Sequence, residues 1–393
     1  MLLAIFICVL FAFSLVSGRL EKTVVTAPIL FALAGMLVFL SMGPAAVKLH
    51  PADFLVLAEI GLVLLLFTDA SRTDLKMLRD IRALPARLLS VGMLFTILLG
   101  AIAAKLVFPQ LSLWEAGILS AILAPTDAGL GQVIVNSPLV PQRVREALNV
   151  EAGLNDGLSV PFMLFFIAMA AAGAGEASFA RFIGEQLGFG LLVGAVIGLA
   201  GGWVLATAKR SGWMAESFLQ LAVVALPVFC LLVSEHVGAS MFIAAFTAGL
   251  CVQVCFKDAG RHSVEFAEEW GQVLNLSVFF LFGLVVSRDH ALFGVAPFIY
   301  ALLSLTVVRM LPVAVSLAGS GLDKATIAFM GWFGPRGLAS IVLGLVYLEQ
   351  EKHLPGEGVI RLAVMATVLL SIFAHGMTAI PGIHLLARRT ATV

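Results

Sequence analysis

The chain has 393 residues, 61% hydrophobic and 12% charged, with 24 basic and 24 acidic side chains that cancel to zero. A soluble domain carries about 25% charged residues, so a water-soluble core of this size would lack its polar shell. No basic excess or stripe is present, which excludes nucleic-acid binding as a main role, and the composition is that of an all-α polytopic membrane protein. One crossing of about 20 residues plus a connection uses about 30, giving about 13 transmembrane helices. Apolar runs and their punctuation place them at 2–17, 26–43, 52–70, 86–108, 113–136, 145–171, 180–208, 217–235, 238–256, 268–287, 291–318, 325–347 and 359–386.

The first run has no basic residue ahead of it, and Arg19 and Lys22 follow it, so it reads as a transmembrane helix rather than a signal peptide. The third run carries Glu59, expected to hydrogen-bond another helix, and Asp69 near its basic end, where it either lines a funnel or meets water. Residues 70–85 follow as a basic interfacial segment. The fifth run contains APTDAGLGQ (124–132), in which proline, glycines and the pair Thr126-Asp127 interrupt the helix. Unwound backbone at membrane depth is tolerated where it lines a protein cavity, and such breaks form ion sites in secondary transporters.

The sixth run, EALNVEAGLNDGLSVP (146–161), holds Glu151, Asn155, Asp156 and Ser159. Glu151 and Asn155 share a face, whereas Asp156 points about 140° away from Glu151, so the two carboxylates need different partners. The seventh run spaces Gly190, Gly194, Gly198 and Gly202 four apart, a surface for close packing within the chain or a dimer seam. Glu235 and His236 end the eighth run without an HExxH pattern, so no zinc site is expected. Arg309 in the eleventh run is the counter-ion expected for Glu151. The twelfth run is interrupted by WFGPRGLAS (332–340) around Arg336. His375 in the last run reads as a packed core histidine, and Cys8, Cys230, Cys251 and Cys255 as small hydrophobes.

The two interrupted runs are seven apart in order, as halves of an inverted repeat require. Where two broken helices cross, their ends present about half a unit of charge each, and Asp127 and Arg336 carry the signs that compensate them. Asp127 either does only that or also serves an ion. Asp156 has no basic partner and adjoins an amide, an arrangement that takes a metal cation or a proton. Connections after odd-numbered runs hold sixteen of the basic residues and the opposite side six. By the positive-inside rule, the N-terminus is expected outside and the C-terminus in the cytoplasm of a cell (inner) membrane.

Thr126-Asp127, Glu151 with Asn155-Asp156, Arg309 and Gly334-Pro335-Arg336-Gly337, in this order over almost the whole chain, resemble the monovalent cation/proton antiporters. The similar branch is the NhaP-like one, which also contains the eukaryotic sodium/proton exchangers. The resemblance implies the NhaA/NhaP-like fold, with two crossed discontinuous helices in a six-helix core (about 86–171 and 268–386 in part) interleaved with a scaffold or dimerisation domain. It implies a homodimer in a lipid bilayer, elevator-type alternating access and no cofactor. Asp156 would carry the cation or proton, with Asp127, Thr126 and Asn155 as ligands, Glu151 and Arg309 as a structural bridge, Arg336 as an accessory residue and Asp69 at the inner funnel.

Asn155 before Asp156 marks the branch resembling electroneutral exchangers, implying 1:1 exchange of Na+ (or Li+ or K+) for H+ in pH homeostasis. Two departures stand out: the common TDP reads TDA, and Ala152 replaces a serine that often helps hold the cation. No long hydrophilic tail follows Arg389, so a soluble regulatory domain is not expected. The other readings are a K+/H+ antiporter of the same fold and a cation channel. Neither HExxH nor GxSxG occurs, so an intramembrane protease is not expected.

Overall fold

A computed structural model describes residues 1–20, 23–43, 51–72, 83–172, 179–256, 262–349 and 353–390. Among them the chain is helical, without a strand. The first helices are α1 (Leu2–Leu20), α2 (Ala27–Met42) and α3 (Pro51–Arg72). Next come α4 (Ala83–Val107), α5 (Leu113–Ile122), α6 (Ala128–Val135) and α7 (Gln142–Ala172). A middle set holds α8 (Phe179–Arg210), α9 (Glu216–Val237), α10 (Met241–Cys255) and α11 (His262–Arg288). The last are α12 (Val295–Ser316), α13 (Lys324–Trp332), α14 (Leu338–Leu348) and α15 (Glu357–Thr390).

Of the described helices, nine are long and apolar enough to cross a membrane, and α2, α5, α10 and α14 are shorter apolar ones. Their positions coincide with the apolar runs of the sequence; α5 with α6, and α13 with α14, each divide one run. The basic segment expected at 70–85 lies outside the described residues over 73–82.

Local chemistry sets several boundaries. Ser112 and Glu115 form a reciprocal capping box at the start of α5, and the other Glu115 oxygen accepts from the Gly356 N–H at 2.6 Å, tying α5 to the start of α15. Asp323 caps α13 by accepting from the N–H groups of Ala325 and Thr326. Within α12 the backbone departs from helical geometry at Thr306 and resumes at Val307, carrying Arg309.

α11 lies along α2 and α3, and α10 along α3, α8 and α9; α5 packs on α4 and α7, α12 on α13 and α15, and α7 also meets α3 and α10. Small residues allow the close approaches, since lipid leaves van der Waals contact as a main source of helix association. The glycine stripe of α8 faces α10: an added methyl would come 2.7 Å from Thr247 Cβ at Gly194 and 2.8 Å from Ala248 Cα at Gly198. Of the two readings of that stripe, packing within the chain is the one found.

Candidate functional site

Residues 123–127 and 333–337 lie between the halves of the two interrupted helices and are not helical. Pro125 and Pro335 supply no backbone N–H there, which favours a break over a continuous ladder. The breaks meet. Asp127 donates its N–H to the Pro335 carbonyl at 2.8 Å. Its Oδ1 accepts from the Leu130 N–H at 2.9 Å and its Oδ2 from the Leu338 N–H at 2.5 Å. One buried carboxylate thus stands at the positive ends of both α6 and α14.

Arg336, fully buried, donates from Nη1 to the carbonyls of Ala124 and Pro125 at 2.6 and 2.7 Å, the negative end of α5. Gly337 permits the approach of α14 to Asp127, because an added methyl would reach 2.7 Å from the carboxylate carbon.

The second break is also held from α15. Ser371 Oγ accepts from the Arg336 N–H at 2.7 Å and lies 3.0 Å from His375 Nδ1, while His375 Nε2 lies 2.9 Å from the Trp332 carbonyl. A carbonyl only accepts, so Nε2 is the donor in that last bond. His375 is buried as its reading required, but with both ring nitrogens engaged at the break. Sequence reasoning missed Ser371; the signal available was Ser371, His375 and Thr378 at helical spacing on one apolar run.

α7 supplies the remaining groups. Arg309 makes a bidentate pair with Glu151, at 2.5 Å from Nη1 and 2.9 Å from Nη2, both residues buried. Its guanidinium covers Gly334, where an added methyl would come 2.7 Å from Cζ. Asn155 donates from Nδ2 to Thr126 Oγ1 at 2.8 Å. Asn155 Oδ1 and Asp156 Oδ1 are buried without a hydrogen-bond partner among the described residues. Buried oxygens are rarely left this way, and a bound water or ion is one explanation for such an exception.

Asp127, Asp69 and Arg336 are the charges that act on Asp156. Asp69 is half-buried, with its Cβ 3.5 Å from where a methyl on Gly153 would stand. Thr126, Asp127, Ala152 and Pro335 share a small cleft of about 20 Å³. The structure therefore brings Thr126, Asp127, Asn155, Asp156, Glu151, Arg309 and Arg336 together around the breaks.

Other groups lie apart. Glu59 makes no hydrogen bond among the described residues, contrary to its sequence reading; its charge neighbours are Glu235 and Glu349. Those two acids stand on α9 and just past the end of α14, and neither supplies a donor. Glu235 and His236 are exposed at the end of α9. In the connection before α13, the Asp323 carboxyl is held below its ordinary 3.8 by the Thr326 hydroxyl first and by the N–H groups of Thr326 and Ala325.

The sequence profile of the family described as "Sodium/hydrogen exchanger, transmembrane" matches residues 2–383. The chain is 26% identical over 346 residues to a Na(+)/H(+) antiporter of Schizosaccharomyces pombe, covering 80% of this chain and 73% of the relative. It is 25% identical over 354 residues to the K(+)/H(+) antiporter NhaP2 of Shewanella baltica, covering 87% of this chain but only 60% of that protein. Among solved structures, the sodium proton antiporter MjNhaP1 from Methanocaldococcus jannaschii at pH 8 superposes with a TM-score of 0.76. The identity is 20%, over 96% of this chain and 98% of the other, and the likeness is one of fold.

Proposed function

The chain belongs to the sodium/hydrogen exchanger family, a family of transporters rather than enzymes, and on that premise we propose that it exchanges a monovalent cation for a proton across a membrane. The observation that carries the reading is the pair of unpartnered buried oxygens, Asn155 Oδ1 and Asp156 Oδ1, beside the first break. A hard monovalent cation wants several oxygen ligands, and Asp156, Asn155, Thr126 and the unwound backbone supply them. Asp127 takes part chiefly as the cap of two helices, since each of its oxygens already accepts an N–H. Cation and proton compete for Asp156, and one site cannot hold both. The loaded carrier moves, whereas a bare carboxylate facing an apolar barrier is held back by its desolvation cost.

In this proposal α4–α7 and α12–α15 form the moving core, and the other helices the scaffold through which two copies pair. Counting each broken pair as one crossing gives thirteen, with the N-terminus outside the cell and the C-terminus in the cytoplasm. Exchange is 1:1 and electroneutral, because Asn155 adds no second titrating charge next to Asp156.

K+ is the second cation in view. Ala152 lines the cleft beside Thr126 and Asp127 and offers no oxygen there, which leaves fewer ligands for a small, strongly hydrated ion. Proton flux in proteoliposomes, with Na+, Li+ and K+ added in turn, ranks the cations. Asp156→Asn abolishes the cation-dependent flux; exchange by that variant at the wild-type rate would remove Asp156 from the mechanism. Exchange driven by an imposed membrane potential would rule out electroneutrality.

A further inference from the structure

We propose that the groove between α12, α13 and the last turns of α15 seats one acidic phospholipid, with an acyl chain laid along the groove and the phosphate at Lys324 and Arg389. This binding is independent of the antiport reading above. The groove holds about 420 Å³, a volume typical of sites that enclose a small molecule. At its inner end Trp332 Nε1 donates to Thr378 Oγ1 at 2.9 Å. Ala325 and Arg389 also line it, so α13 and α15 run in opposite directions along its walls.

One wall is Ala325, Ala328, Phe329 and Trp332 of α13, and the other is Thr378, Gly382, Leu385 and Arg389 of α15, each set at the spacing of a single helix face. Ala325 and Ala328 are too short to close the space between the helices. From Thr378 to Arg389 the groove runs about 16 Å at 1.5 Å per residue, which is about half of the roughly 30 Å hydrocarbon core, one leaflet. Ala328, Pro381 and Leu385 are exposed along it and mark where it opens. Among the described lining residues none belongs to α1–α3 or α8–α11, so the opening is toward lipid.

An apolar face is what any lipid-facing helix presents; a trough of one leaflet's length that ends in basic side chains selects an anionic head group. Lys324 begins α13, and Arg388 and Arg389 stand in the last turn of α15. The acid at that mouth, Asp323, is engaged by the N–H groups of Ala325 and Thr326, so the balance there is positive. A guanidinium carries five donors and can take a phosphate alongside a protein partner. At the other end the acyl chain meets Trp332, whose carbonyl lies 2.9 Å from His375 Nε2 at the second break. The lipid thus braces from outside a residue that α15 holds from within.

The test titrates phosphatidylglycerol brominated on its acyl chains into phosphatidylcholine vesicles that hold the full chain, because bromine quenches a tryptophan it touches. Fluorescence falls in a saturable step at low mole fraction of the brominated lipid, and Trp332→Phe lacks that step. Brominated phosphatidylcholine gives only the gradual quenching of the other exposed tryptophans. Lys324→Gln and Arg389→Gln, both at exposed positions and with Trp332 in place, each move the midpoint upward by about fivefold. Ala328→Phe, folded by its melting curve, fills the groove and abolishes the step. The same step with brominated phosphatidylcholine, which would mark an ordinary boundary lipid, overturns the site, as does its persistence in Trp332→Phe or an unchanged midpoint in both charge variants.

Discussion

At the first break the carbonyls of Ala124 and Pro125 are covered by a guanidinium that belongs to the second break, while at the second break the chain is held by Ser371 and His375 of α15. The carboxylate of the first break in turn caps the helices that leave both. The two interruptions are alike in backbone and unlike in dependence: each supplies the charge that the other needs, but the second is also pinned by two side chains of α15. The first instead faces α7, where Asn155 reaches Thr126 and leaves its own oxygen unpartnered. A break that is to bind an ion cannot have every group satisfied by the protein, and a break that is to frame it should.

Removing the shared carboxylate is the severest way to disturb this arrangement. Asp127→Ala strips the caps of α6 and α14 together, two bonds to a charged group at about 1.5–3 kcal/mol each. Thermal unfolding in detergent should show the largest loss of any single variant here, with exchange lost as well. A melting point no lower than that of Ser371→Ala would mean that the breaks do not share the acid. Arg309→Ala leaves Glu151 charged and unpaired in the interior, a cost of about 3–5 kcal/mol. Because Arg309 also covers Gly334, this variant loosens the second break from α7, so stability should fall more than cation affinity; the opposite ranking would assign Glu151 to the ion site.

Ser371→Ala and His375→Ala each remove pins from the second break alone, at about 1 kcal/mol for a neutral bond. Turnover is expected to fall in both while half-saturation by cation holds, and a primary loss of affinity would erase the division between a framing break and a binding one.

The smallest effect concerns Asp323, which caps α13 from an exposed position. Its carboxyl titrates below 3.8 in the folded chain, so its stabilisation is complete above the unfolded value and disappears as pH falls through the lower folded one. Asp323→Asn should lower stability slightly above about pH 5, where the ionised cap is complete, and converge with the unsubstituted protein as the carboxyl is protonated on the acid limb. A variant less stable at neutral pH than Ser371→Ala would place more weight on the start of α13 than on the pins of α15.

Much of this was legible beforehand for a physical reason. In a chain that is 61% hydrophobic, each ionised group inside an apolar run carries a large desolvation cost, so Asp127, Glu151, Asp156, Arg309 and Arg336 stand out without coordinates. Proline and glycine marked both interruptions because they weaken a helix wherever they occur. Glu59 was misread because a lone carboxylate on one helix says nothing of what faces it, and what faces it is acidic. Ser371 went unread because serine is cheap enough in a helix to be overlooked.

The sequence by itself determined that the protein is a bundle of apolar helices with two breaks and a small set of buried charges, since composition and periodicity act locally. The pairing of Glu151 with Arg309, expected from charge alone, is realised across 158 residues. The remaining partners were decided by the tertiary structure: Arg336 finds the carbonyl of Ala124 from 212 residues away. Such pairings are fixed by where the helices cross, and so is the placing of the unpartnered Asn155 Oδ1 and Asp156 Oδ1 beside the first break.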